Sequence, residues 1–237
     1  NYGTVTYTMK LGTSQVTFAS IENFDGVTAP ALPTGWTSTV VTGSIANWAS
    51  ASTTPDSGTT AIFASPVASV AEVRLDSAAF AVPAGFTSQL SFRHRWNTED
   101  SYDGGVLEIA IGAGAFSDII TAGGSFVSGG YTSTIASGSG NTLIGRGAWS
   151  GSSNTAYTTT VINLPAAAAG QNVRLRFRLA SDDSFLPAGT NVWRIDTMRL
   201  QVTSLVCAAN VATTLTLAAA GPVHRGQPST VTATVTG

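Results

Sequence analysis

The sequence is poor in the residues that most often betray a chemistry. Its single cysteine, Cys207, excludes an intrachain disulfide and a cysteine-based zinc site, so any staple beyond packing has to come from oxygen ligands or hydrogen bonds. The two histidines, His94 and His224, lie far apart and leave little material for a Ser/His/Asp triad. No H-E-x-x-H, G-x-S-x-G or phosphate-loop pattern occurs, and no enzyme is expected. Charged residues make up only 10% of the chain and the net charge is −2, which supplies no broad positive field; neither nucleic acid nor anionic membrane is expected as a partner. Lys10 is the only lysine, a bias that reads as codon composition rather than function. No run of 18 apolar residues is present, so no membrane insertion by a helix is expected. The chain starts at Asn1 without Met or a signal segment and stops in mid-pattern at Gly237, so it is expected to be a piece of a longer exported protein, extracellular or at the cell surface.

Helical periodicity is nearly missing too. "LPAAAAGQ" at 164–171 is too short for a stable helix and is bounded by Pro165 and Gly170, which predicts a turn. Alternation is abundant instead. In "LSFRHRW", Leu90, Phe92, His94 and Trp96 share one face and Arg93 and Arg95 the other; in "VRLRFRL", Val173, Leu175, Phe177 and Leu179 oppose Arg174, Arg176 and Arg178. Further strands are predicted at about 17–24, 61–65, 70–75, 106–111, 157–164 and 192–203, and 123–153 reads as a long Gly- and Ser-rich surface excursion. The hydrophobic fraction of 43% is ample for a core. Together these features predict an all-β protein, an antiparallel jelly-roll β-sandwich with extra terminal strands.

Three segments are expected: 1–19 as a terminal strand or linker from a preceding module, 20–205 as the sandwich, and 206–237 as an incomplete immunoglobulin-like repeat. The stretches "NFDGVTAPALPTGW", "LSFRHRWNTEDSYDGGVLEI", "GRGAWSG", "VINLPAAAAGQNVRLRFRLASDDS" and "WRIDTMRL" resemble, as an ordered set over roughly 20–203, jelly-roll modules related to MAM-like and galactose-binding-like domains of large bacterial exported proteins. The resemblance implies a lectin-like sandwich with a cation at one end. Matched by position, its ligands are Glu99, Asp100 and Asp103 in the turn after a central strand, Asp182 and Asp183 in a later loop, and Asp196 in the closing strand, where Thr197 stands in place of a second acid.

Hard carboxylate and carbonyl oxygens in Gly- and Ser-rich turns suit structural calcium. Asp196 is in phase with Met198, Leu200 and Val202, which predicts a carboxylate on the core side that needs a partner. The same acids equally suit solvated turns, Asx caps or pairs with arginine. Trp149, Trp48 and Tyr131 stand in contexts unlike core strands and are candidates for stacking on a glycan, or else for capping the sandwich under the excursion. His94, alternating with apolar residues, reads as a hydrogen-bonded core residue. The function expected is a non-catalytic, calcium-stabilised adhesive or spacer module. The alternatives are a carbohydrate-binding module using the aromatics, with a glycan or cell-surface ligand as partner, or a glycan-cleaving enzyme using Glu99 and Glu108.

Overall fold

A computed structural model describes residues 13–153, 156–188, 190, 192–206, 214–219 and 231–236. In chain order its strands are β1 (Thr13–Glu22), β2 (Thr37–Thr42), β3 (Ala49–Ala51), β4 (Ala61–Ala64), β5 (Ala71–Asp76), β6 (Phe80–Ala81), β7 (Thr87–Asn97), β8 (Gly104–Ile111) and β9 (Ser117–Asp118). They continue with β10 (Ser125–Ser128), β11 (Ser133–Thr134), β12 (Gly147–Ala148), β13 (Thr158–Asn163), β14 (Asn172–Ser181), β15 (Val192–Val206), β16 (Thr214–Ala219) and β17 (Val231–Thr236). The expected turn at 164–171 contains one 3-10 turn, Ala166–Ala168. The described residues hold no helix long and apolar enough to cross a membrane.

The chain divides into two compact units, Val16–Ser204 and a second made of Asn1–Gln15 with Leu205–Gly237. In the second, β16 and β17 pair antiparallel; of the terminal strand or linker expected at 1–19, residues 1–12 lie outside the described residues. The first is the predicted all-β sandwich. One sheet runs β10-β13-β7-β15-β4-β3, with β1 also on β15, and the other runs β2-β5-β14-β8-β9, with β6 also on β14. Because side chains alternate along a strand, each sheet sends one row inward. Leu90, Phe92, Trp96, Ile162, Trp193 and Ile195 of the first sheet meet Val73, Leu75, Leu107, Ile109, Leu175 and Phe177 of the second in one buried cluster.

Gly105 on β8 also faces this core, and a Cβ there would collide with the Trp193 ring, so the indole lies flat against bare backbone. The excursion at 123–153 contributes β10, β11 and β12 and is ordered against the sandwich. Trp149 bridges to Gly105, while Ile135, Leu143 and Ala148 cover Val106 and Ala180 on the outer face of the second sheet.

The aromatic expectation is corrected here. Trp149 is fully buried and Trp48 is 2% exposed. Trp48 lies edge-on to Trp193 at 5.4 Å, and Trp149 packs on Phe92 at 5.7 Å and on Tyr131 at 4.8 Å between ring centroids. Tyr131 is half-buried, its hydroxyl donating to Asp118 Oδ2 at 2.9 Å. None of the three offers a free ring face to a glycan, because the excursion folds back across the end of the sandwich and lays its aromatics into the core. They cap it, as the structural alternative holds.

His94 sits at the centre, fully buried. Its Nδ1 accepts from Trp193 Nε1–H at 3.2 Å. An indole nitrogen only donates, so His94 Nδ1 is unprotonated and Nε2–H donates to Thr160 Oγ1 at 2.9 Å. Thr160 in turn donates to the Gly129 carbonyl at 2.6 Å, which also takes Trp149 Nε1–H at 2.9 Å. Burial, reinforced by the nearby Arg93 charge, holds the imidazole down at about 3.

A histidine near 6.5 when unfolded and about 3 when folded supports the fold fully above 6.5 and progressively less as pH falls towards 3, because the unfolded chain takes up the proton first. Between pH 6.5 and 5 this single group should cost about 2 kcal/mol. Urea unfolding of the wild type and of His94→Gln at both pH values isolates it from the carboxyl groups. Identical pH-induced losses in the two proteins would show that His94 takes up its proton without unfolding the core.

Candidate functional site

Pairing of β8 with β14 places Gly104 opposite Ala180, so the residues just outside that pair are forced together at one end of the sandwich. Asp103 Oδ1 accepts the Asp182 N–H at 2.8 Å, and Glu99 lies beside both. The turn is tied by Tyr102 and Asp103 N–H donating to the Glu99 carbonyl at 3.3 and 3.0 Å. Asp103 is fully buried, and its Oδ2, like Glu99 Oε2, has no hydrogen-bond partner among the described residues. Burial, with the Asp182 and Glu99 charges, lifts Asp103 to about 7; burial and Asp182 also raise Glu99.

The other expected ligands go elsewhere. Asp100 is exposed and takes the Ser133 hydroxyl at 2.7 Å, Asp183 is exposed, and Asp182 Oδ1 accepts from Ser184 N–H at 3.1 Å. Among the described residues no group of three or more His, Cys, Asp or Glu side chains is disposed to hold a metal ion. A cation would find two free buried carboxylate oxygens here, from Glu99 and Asp103, rather than the six predicted acids.

Asp196 is corrected on two counts. A bulge lies between Asp196, opposite Arg93, and Arg199, opposite Ser91. The extra residue falls at Thr197, whose φ of 44° is unusual for a β-branched residue. The bulge breaks the alternation, so Met198 and Leu200 face the core while Asp196 shares the outward face with Arg93. It is nonetheless fully buried, because the loop at 52–58 lies over it. Its Oδ2 accepts Asp56 and Ser57 N–H at 2.8 and 3.1 Å, and its Oδ1 accepts Thr197 N–H at 2.6 Å. Burial raises Asp196 and these bonds oppose the rise. Asp196 is therefore an anchor for a loop and stands apart from the acidic end.

Residues that the sequence did not place in a common site meet at that loop. Asp56 holds Arg93 by a two-pronged bond, to Nε at 2.8 Å and Nη2 at 2.7 Å, which raises the guanidinium above its ordinary value. Arg93 also donates to Thr159 Oγ1 at 2.9 Å and to the Tyr157 carbonyl at 3.0 Å. Asp56, Ser57, Arg93, Thr159, Thr197 and Arg199 line an open groove of about 240 Å³ on the outer face of the first sheet. Its wall is suspended at a second point by Asp25, whose Oδ1 takes Thr59 and Thr60 N–H at 2.6 and 3.0 Å and which is thereby held below the usual carboxylate range. Outward phase on β7 was legible for Arg93; its union with Thr159 and with a loop some 35 residues upstream was not.

The outer face of the second sheet is different. Arg178 donates to both Glu72 and Glu108, Arg146 to Glu108 and Asp118, and Arg176 to Asp76, at 2.6–2.9 Å. Burial pushes Glu72 up, but bonds from Arg178, Thr142 and Arg74 outweigh it and hold the carboxyl below its usual range. Among the described residues Arg178, Arg146 and Arg176 each find a carboxylate, while Arg174 lies over the Phe116 ring at 5.0 Å; the arginines of β7 and those of β14 belong to the two different sheets. The Glu99 and Glu108 pair is likewise not assembled: Glu99 belongs to the acidic end, and Glu108 is tied into these ion pairs.

No family model matches the chain, and no curated protein matches it. Among solved structures, the K1 cleaved adhesin domain of Lys-gingipain from Porphyromonas gingivalis W83 aligns over 80% of this chain and 98% of its own, at 13% identity and a TM-score of 0.41. The CBM22-1 xylan-binding domain of Paenibacillus barcinonensis Xyn10C covers 82% and 97%, at 9% identity and 0.42. The module TmCBM61, solved with β-1,4-galactotriose, covers 70% and 88%, at 9% identity and 0.43. Likeness of this degree assigns the chain neither a family, a ligand nor a site.

Proposed function

We propose that the sandwich is a non-catalytic glycan-binding module of an extracellular bacterial protein, and that the glycan lies in the groove on the outer face of the first sheet. The observation that carries the reading is the groove itself. It is of a size for a sugar residue, open to solvent, and floored and walled by hydroxyls, which can donate to and accept from sugar hydroxyls, and by guanidinium groups, which can donate to them. The groups are fixed before any ligand arrives: buried Asp196 holds the loop, the loop's Asp56 holds Arg93, and Arg93 is braced on Thr159. Binding then loses little to ordering. Thr54 and Thr197, both non-glycine residues with positive φ, flank the same region, and backbone held in such conformations gathers at functional sites. The β16–β17 hairpin is read as the opening of an immunoglobulin-like repeat that follows the module in sequence.

A glycan array identifies the ligand class. Arg93→Ala should then weaken the best binder by about tenfold or more, whereas Arg174→Ala on the opposite sheet should leave affinity unchanged. An array without any binder, or equal affinities for the two variants, would remove the groove from the function and favour the spacer role.

A divalent cation, calcium by its preference for oxygen, is the second element of the proposal. What supports it is the pair of unpartnered buried oxygens of Asp103 and Glu99 in a like-charged cluster; backbone carbonyls and water would complete its shell. Calcium should raise the melting temperature, by an amount equivalent to about 2.7 kcal/mol at a hundredfold excess over its dissociation constant. Asp103→Asn keeps the acceptor for Asp182 N–H, and it should raise the melting temperature in chelator and abolish the calcium response. Equal wild-type midpoints in calcium and in chelator would end the cation claim.

A further inference from the structure

Arg194 stands beside the groove as a deeply buried cation. It is 7% exposed, and it sits opposite Arg95 in the β15–β7 register, so two guanidinium groups adjoin on one face. Its Nη2 donates to Thr53 Oγ1 at 3.3 Å and its guanidinium carbon stacks 5.0 Å from the Phe63 ring. Nε and Nη1 have no acceptor among the described residues.

The two acids nearby are committed. Asp56 is spent on Arg93, and Asp196 on three backbone N–H groups. The contrast with the other sheet is direct: Arg178 and Arg146, also deeply placed, are each gripped by two carboxylates. Removing a cation from water without a counter-charge is expensive, and a second cation alongside adds to the cost. Water could satisfy the N–H groups but not the charge.

We infer that Arg194 and Arg95 form a binding site for the acidic group, carboxylate or sulfate, of a glycan. A guanidinium presents parallel N–H donors that match two oxygens of either anion. The surrounding donors and walls are in place: Arg95 Nη2 is held by Thr54 Oγ1 at 2.8 Å and lies over the Tyr157 ring at 5.5 Å, and Tyr157 OH is held by the Thr54 carbonyl at 3.0 Å. Arg93 and Arg95 alternate on the same face of β7, about 7 Å apart along the strand. A glycan in the groove at Arg93 therefore sets its next substituent near the Arg95–Arg194 pair. The ligand class rests on the glycan-binding reading; the anion site itself does not.

The test is titration calorimetry on the full chain with a galacturonate oligosaccharide, its methyl-esterified counterpart and a sulfated galactan oligosaccharide, alongside thermal melts with free galacturonate and with inorganic sulfate at matched ionic strength. At least one acidic oligosaccharide should bind about tenfold or more tightly than the esterified one. Preference for galacturonan or for sulfated galactan assigns the site to carboxylate or to sulfate. Arg194→Gln should erase that preference while keeping the weaker binding of the ester, and Arg95→Gln should do the same should the first variant fail to fold. Equal affinities for acidic and esterified chains overturn the inference and leave the glycan reading standing. Melting shifts by galacturonate or sulfate that vanish in Arg194→Gln, with no oligosaccharide bound, keep the anion site and overturn the glycan reading. Neither oligosaccharide binding nor an Arg194-dependent shift overturns both.

Discussion

The fold hangs on one buried chain of hydrogen bonds, from Trp193 to His94 to Thr160 to the Gly129 carbonyl, with Trp149 closing on the same carbonyl. It ties β15, β7 and β13 side by side and then reaches out of the sheet to the excursion. Each link has a single allowed direction, because the indole can only donate, the neutral imidazole therefore accepts at Nδ1, and only its Nε2–H is left to place. The excursion has little regular structure of its own, so this chain and the Gly105–Trp149 bridge define where it lies. Rings that look like free surface in the sequence become the lid of the core.

Electrostatics divides the molecule into two unlike outer faces. On the second sheet, arginines and acids alternate across neighbouring strands and neutralise one another, and part of that surface is roofed by the excursion. Ion pairs of this kind specify register more than they stabilise. On the first sheet, Asp196 is drawn off to hold a loop and Asp56 to hold Arg93, and Nε and Nη1 of Arg194 are left without an acceptor among the described residues. This asymmetry is what supports the outer face of the first sheet as the place of the proposed ligand.

How much of this was legible in the sequence follows from the range over which each feature is determined. Strand positions and the buried character of His94 came through because alternation is local: Leu90, Phe92, His94 and Trp96 declare their face within seven residues. The meeting of Asp103 with Asp182 at one end was implied by the resemblance, and the β8–β14 pairing produces it. Asp196 was misread because a strict period of two was carried through Thr197, and one inserted residue reverses every face beyond it. Trp149 and Trp48 were open to two readings because only long-range contacts bury them. The groove was invisible, since its parts come from segments near 56, 93, 159 and 199 and only register unites them.

The loop at 52–58 is fastened at its base by carboxylates, Asp25 on one side and Asp196 on the other, each gripping main-chain N–H groups, with the Thr59 and Thr197 hydroxyls added to them. The grip on Asp56 and Ser57 is through main chain alone and is indifferent to which side chains stand there. Gly58, where a Cβ would strike Asp25, and Asp56, which holds Arg93, are fixed by their own contacts, but other side chains of the loop can change without touching these anchors. A scaffold of this kind separates heritable stability from heritable selectivity, and related chains could diverge in what they recognise by rewriting a handful of codons at the rim.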